Sequence, residues 1–205
     1  MLRPLAPNSL VLACAASSFS AQATTISVTV TDATGKPLAD VVVALEPAVG
    51  HLPVKPMAGV QIAQSRRQFT SQVTVVTVGT PVLFPNFDTV RHHVYSFSPI
   101  KTFELKLYAG VPNTAVVFDK PGIAVLGCNI HDQMAAWVVV LDTPHYARSS
   151  AAGKAQIDGV SPGSYRLRAW HPALAAAAEP TATPLMVGAV DVEQRIVLDP
   201  AGPPT

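Results

Sequence analysis

An all-β sandwich is the fold class that this 205-residue chain predicts, and three observations predict it. Valine and threonine fall in short runs punctuated by 19 prolines and 12 glycines, and short β-branched runs bounded by turn residues read as strands. Half of the chain (49%) is hydrophobic and only 13% is charged, which excludes an intrinsically disordered chain and supplies core for one or two domains. The one helical signal by propensity, residues 173–178, is confined between Pro172 and Pro180 to about two turns at most.

The elements follow in order. Residues 1–23 carry one basic residue, Arg3, then an apolar stretch around Leu10 to Ala16 and the small-residue site Ala21-Gln22-Ala23. This reads as a secretory signal peptide, far shorter than the ~20 apolar residues of a membrane span. Cys14 behind Val11-Leu12-Ala13 is a lipidation candidate, but its leucine sits one place off. Residues 26–30 alternate as a strand, 32–37 turn, and 41–45 form a second strand. Residues 51–64 read as a loop. Two β-rich runs within 69–84 flank Gly79-Thr80-Pro81, and 93–97, 102–108, 114–118, 123–126 and 135–141 continue the series, with a turn at 119–122. Beyond a linker-like stretch at 149–153 come strands at 155–160 and 165–170 around Ser161-Pro162-Gly163, and a last strand at 190–198.

Charge narrows the function. Fourteen Lys and Arg against 13 Asp and Glu leave +1, and loss of Arg3 with the leader leaves the mature chain neutral, so a basic nucleic-acid surface is not expected. Paired carboxylates, a Ser-His-Asp set and a glycine-rich phosphate loop are not evident, and an enzyme is not expected. With Cys14 removed, one thiol remains, Cys128, in an oxidising compartment where a lone thiol is a liability.

The neighbours of Cys128 explain it. Residues 127–134, Gly-Cys-Asn-Ile-His-Asp-Gln-Met, set a thiol, an imidazole and a thioether at Cys-x2-His-x2-Met spacing between two apolar strands. Thiolate and imidazole bind copper strongly and a thioether makes a weak axial bond. A second imidazole is available upstream in residues 86–94, Asn-Phe-Asp-Thr-Val-Arg-His-His-Val. There His92 and His93 are both candidates: spacing from Asn86 favours His92, whereas alternation that buries Tyr95 and Phe97 favours His93. Zinc on His92, His93, His131 and Cys128 is a competing set, one that leaves Met134 idle. Asp88 and Arg91 can pair to order the loop. His51, His145 and His171 read as surface or turn residues, Asp132 and Gln133 as solvent-facing loop residues, and Met57 and Met186 as packing.

Residues 68–141 resemble the cupredoxin family of blue copper proteins, amicyanin and plastocyanin among them, on two motifs in the family's order. Asn86, Asp88, His92 and Val94 match the first; Pro121, Gly122, Cys128, His131 and Met134 match the second. The resemblance implies a Greek-key sandwich and one type 1 copper ion held by His92, Cys128, His131 and Met134, with His93 an outer-sphere residue or the alternative ligand. It departs at His93, where the family usually has Asn, and at Leu126, where a tyrosine is common. The stretches RHHVYSFSP, KTFELKLY, FDKPG, LGCNIHD and AWHP resemble bacterial exported plastocyanin-like proteins of the methylamine utilisation type. Residues 30–43 and 159–167 resemble the two halves of a prealbumin-like carboxypeptidase regulatory module.

The organisation expected is a signal peptide at 1–23, a cupredoxin-like domain at 24–145 and a C-terminal β module at 146–205, with 24–49 able to pair with that module as an additional small prealbumin-like sandwich. The function expected is one-electron transport in the periplasm. Its partner would be a redox protein such as a c-type cytochrome or a periplasmic dehydrogenase, without nucleic acid or a membrane span. The alternatives are a copper carrier or sensor, and a structural metal-binding sandwich.

Overall fold

The computed structural model describes residues 23–131, 133–174 and 181–199. The expected leader, but for Ala23, and most of the helical signal at 173–178 lie outside the described residues. The strands in chain order are β1 (Thr24–Thr31), β2 (Val42–Pro47), β3 (Val60–Gln61), β4 (Gln64–Ser65), β5 (Gln68–Phe69), β6 (Val73–Thr77), β7 (Thr80–Leu83), β8 (His92–Ser98) and β9 (Lys101–Tyr108). They continue with β10 (Val116–Phe118), β11 (Gly122–Cys128), β12 (Ala135–Leu141), β13 (Tyr146–Arg148), β14 (Lys154–Val160), β15 (Gly163–Trp170), β16 (Thr181–Val187) and β17 (Val192–Val197). The chain is all-β. Among the described residues no helix is long and apolar enough to cross a membrane.

Two sandwiches emerge from the pairing. In the first, a three-stranded sheet β14-β1-β17 faces a four-stranded sheet β13-β2-β15-β16. β1 runs antiparallel to β14 and parallel to β17, and β2 is antiparallel to β13 and β15. Strands β1 and β2, within the residues 24–49 that the sequence placed in the cupredoxin-like domain or in a pairing with the C-terminal module, hydrogen-bond to strands beyond residue 145. The reason is alternation: Ile26, Val28 and Val30 point from β1 into a core with Val43, Leu45, Leu167 and Ile196. Each such burial is worth about 1.5–3 kcal/mol.

In the second sandwich a five-stranded sheet β6-β12-β11-β8-β9 faces a three-stranded sheet β10-β7-β3. Ile62, Phe84, Val94, Phe118, Leu126 and Val138 fill the space between them. The chain crosses between these sheets at β6–β7, β7–β8, β9–β10 and β10–β11, in Greek-key fashion. A two-stranded hairpin, β4–β5, hangs beside the sheets.

The two sandwiches meet face to face. Trp137 and Val139 point from the outer face of β12 toward Val42, Trp170 and Leu174, with the indole centroids 6.5 Å apart. Strands β2 and β12 are thus covered on both faces, which explains their nearly continuous apolar runs where a half-exposed strand would alternate. Trp170 of the AWHP stretch serves this packing, and the His171 beside it accepts a hydrogen bond from the Ala173 N–H through Nδ1 (3.1 Å). Met57 packs against the second core as expected, but Met186 is 71% exposed. It lies opposite Ser164 on the solvent side of β16, and the Ser164 hydroxyl donates to its sulfur (3.5 Å).

Candidate metal centre

Strand β8 begins with His92 fully buried, and burial then alternates strictly: Val94 and Ser96 inward, His93 and Tyr95 partly covered, Phe97 63% exposed. His92 and Val94 thus share the inner face of the sheet, at the expense of sending an aromatic outward. The pairing of β8 with β9 shifts register between His92 and Val94, and such a bulge re-aims a side chain at the edge of a sheet. Cys128, last residue of β11, lies opposite Val94 and is buried. The connection to β12 carries His131 and Met134, and its turn is closed by the Met134 N–H donating to the His131 carbonyl (2.9 Å). The Asn129 N–H donates to the His93 carbonyl (3.3 Å), tying this loop back to β8.

These elements bring three donors together. His92 Nδ1 lies 3.6 Å from Cys128 Sγ, the His92 and His131 rings are 5.1 Å apart, and one ligand atom from each residue falls within 4.8 Å of the others. Among the described residues, His131 Nδ1 is buried without a hydrogen-bond partner, and a buried polar atom is seldom left in that state. Met134 is buried in the same cluster as Cys128. Thiolate, two imidazoles and a nearby thioether form a donor set suited to copper, and an ion among them would satisfy His131 Nδ1.

His93 takes no part in this cluster. Its ring is on the outer side of β8, with Nε2 3.4 Å from Glu104 Oε2, outside hydrogen-bond geometry, and Nδ1 accepting from Asn129 Nδ2 (3.3 Å). A tetrahedral set that needs His93 beside His92 is not assembled.

Around the cluster, Asn86 and Asp88 were named in the sequence as motif residues, but their partners were not, and Gln64 was not singled out at all. Asp88 was expected to meet Arg91; instead its Oδ2 is 2.9 Å from His92 Nε2, and its carboxylate accepts the backbone N–H groups of Arg66 (2.6 Å) and Arg67 (2.9 Å). Burial pushes the Asp88 carboxyl up, but these N–H donors and His92 prevail and hold it below the usual carboxylate range. Asn86, also buried, accepts the Asp88 N–H (2.9 Å) and donates to the Val90 and Tyr108 carbonyls (2.9 and 3.0 Å), fixing the approach to β8. Beneath lies Gln64, fully buried, donating to Phe84 O (3.1 Å) and Tyr108 Oη (2.5 Å). Burial raises the Tyr108 hydroxyl to about 12 despite the Gln64 bond, with the nearby Cys128 adding to the rise. A lone glutamine in a loop reading carries no pattern that could have announced it. Gly127 has a clearer signal, since it precedes the thiol: a Cβ there would come within 2.6 Å of the Tyr95 ring, which lies across the backbone beside Cys128.

No family model and no curated protein matches the chain. The solved structures similar to it include cupredoxins. A purple cupredoxin from Nitrosopumilus maritimus is 21% identical over 40% of this chain and 99% of its own, with a TM-score of 0.36. Amicyanin from Paracoccus versutus is 17% identical over 42% of this chain and 85% of its own, with a TM-score of 0.35. A copper-containing nitrite reductase from Thermus scotoductus is 23% identical over 56% of this chain and 28% of its own, with a TM-score of 0.38. Identities and scores of this size assign neither ligand nor partner to this chain.

Proposed function

We propose that the chain is an exported type 1 copper protein that carries single electrons between redox partners, with His92, Cys128, His131 and Met134 holding the ion. The observation that carries this reading is the convergence of ligand atoms of His92, Cys128 and His131 within 4.8 Å, with His131 Nδ1 buried and, among the described residues, unpartnered. Copper supplies a one-electron Cu(II)/Cu(I) couple when bound. The chain supplies donors soft enough for Cu(I), and holds them on two paired strands and a short loop so that little rearrangement accompanies a change of charge. Zinc is the weaker reading because His93 is turned toward Glu104.

The remaining parts of the reading are proposals of the same kind. Residues 1–23 are read as a signal peptide and the periplasm as the compartment. The partner is read as a c-type cytochrome or a periplasmic dehydrogenase, and no catalysis is assigned. Residues 24–49 and 146–205 are read as one prealbumin-like unit, of the sort found in carboxypeptidase regulatory modules, with the cupredoxin-like stretch inserted between its halves. Pairing of β1 with β14 and β17 supports that division.

Copper titration of the mature protein tests the ligand set. An intense visible thiolate-to-copper band with narrow copper hyperfine splitting is expected, absent in Cys128→Ser. A colourless protein that binds zinc or nothing would retire electron transfer.

A further inference from the structure

We infer that Asp88 is the positioning residue of His92: its carboxylate, clamped by the N–H groups of a strained two-residue turn, holds His92 in the tautomer that leaves Nδ1 free toward Cys128. The inference starts from His92, which is fully buried and has each ring nitrogen matched to a different neighbour. Nε2 faces Asp88 Oδ2 at 2.9 Å and Nδ1 faces Cys128 Sγ at 3.6 Å. An ionised carboxylate only accepts hydrogen bonds. In a neutral imidazole the proton therefore sits on Nε2, and the Nδ1 lone pair points into the donor cluster.

What holds Asp88 is unusual in itself. The β4–β5 hairpin turns through Arg66 and Arg67, both at positive φ (55° and 58°). A tight turn of this kind prefers Asn-Gly, and a residue with a Cβ is penalised by about 1–2 kcal/mol at each such position. Among the described residues neither arginine side chain has an ion pair that would offset this penalty. Their backbone N–H groups, however, converge on the two oxygens of Asp88, at 2.6 and 2.9 Å. Backbone strain persists where the surroundings over-determine it, and such places gather at functional sites. The other side of Asp88 is set by Asn86, which accepts its N–H and bonds onward to β9. Hairpin, loop and strand thereby fix one carboxylate, and the carboxylate fixes one imidazole. Where metal-ligating histidines have such outer partners, ring orientation and donor strength follow from them.

The role extends the copper reading, and only one of its two tests depends on that reading. In the metal-free protein, long-range 1H–15N NMR should show His92 as the Nε2–H tautomer alone. In Asp88→Ala the ratio of the two tautomers should fall at least threefold. Asp88→Asn, whose amide oxygen can still accept N–H bonds, guards against a variant that fails to fold. In its copper form the reduction potential should rise, because loss of a negative charge beside a ligand disfavours Cu(II) more than Cu(I). At least a tenfold shift in that equilibrium is expected, which for one electron is about 59 mV. The turn variant Arg66→Asn with Arg67→Gly keeps both backbone donors and should leave the tautomer unchanged. An Nδ1–H tautomer in the native protein, or a tautomer ratio indifferent to Asp88, would overturn the assignment. So would a turn variant that behaves like Asp88→Ala. If copper fails to bind, the tautomer decides alone, so loss of the copper reading and loss of this one remain distinguishable.

Discussion

At the scale of the residue, two adjacent histidines have opposite fates that their positions in β8 decide. His92 is buried beside Cys128, whereas His93 reaches Glu104 on the outer face. His93→Ala is accordingly expected to change copper affinity less than about threefold. His92→Ala should lower it beyond the ~10–100-fold typical of losing an outer partner, as read by competition with a chelator. Equal losses in both variants would contradict the assignment. Cys128, His131 and Met134 could be named as candidates from the sequence because one loop carries all three at fixed spacing. His92 was favoured there by its spacing from Asn86, against an alternation argument from aromatic Tyr95 and Phe97 that favoured His93; Ser96 is buried in their place, and its Oγ accepts the Ser98 N–H (3.3 Å). Asp88 was legible as a motif residue but most of its partners were not, and Gln64 was not legible at all. Apart from His92, four residues on from Asp88, the partners are backbone groups and a tyrosine brought close only by folding, some 20 to 44 residues away in sequence.

At the scale of the element, alternation foretold most strands, but several features escaped it, β16 (Thr181–Val187) among them. Strands β3, β4 and β5 are two residues each, too short for any period, and they occupy or adjoin a stretch read as loop. β13 exists because Tyr146, Ala147 and Arg148 line up against β2, a non-local match. The turn into β14 depends on Gly153, at φ +69°, where a Cβ would stand 2.3 Å from the Val30 carbonyl oxygen. That backbone cannot retreat, since the Val30 N–H donates to Gly153 O and its carbonyl accepts the Leu38 N–H. Gly153→Ala should therefore lose more than the ~1–3 kcal/mol of left-handed strain alone, measured by chemical denaturation. Gly127→Ala should lose far less, because the clashing atoms are the outer end of the Tyr95 side chain. A Gly153→Ala protein as stable as the native one would contradict the turn geometry.

At the scale of the whole molecule, the contact between sandwiches makes stability a joint property. Trp170→Ala removes an indole that is 8% exposed and packs on Trp137, so a loss of about 3–5 kcal/mol is expected, with the copper band unmoved. Acid should also destabilise the fold in two stages. Burial holds His145 and His171 below the ordinary imidazole value of 6.5, so the unfolded chain takes up protons first as pH falls. Stability present above pH 6.5 is therefore lost as pH drops from there toward the depressed folded values. Asp32, held down chiefly by the Thr34 hydroxyl, and Asp119, held down chiefly by Lys101, contribute above the unfolded value of 3.8, and their contribution is lost as pH falls through it and below. Thermal melts between pH 7.5 and 3 should show Tm falling in both windows; a Tm that rises on acidification from 7 to 5.5 would contradict the histidine stage. The central claim, that the cluster on β8 and the β11–β12 loop serves to carry electrons, is tested most directly by voltammetry of the copper-loaded mature protein. A reversible one-electron wave, with the ion retained through repeated cycles and the wave absent in Cys128→Ser, is the result predicted. Copper lost on reduction, or no wave at all, would contradict it.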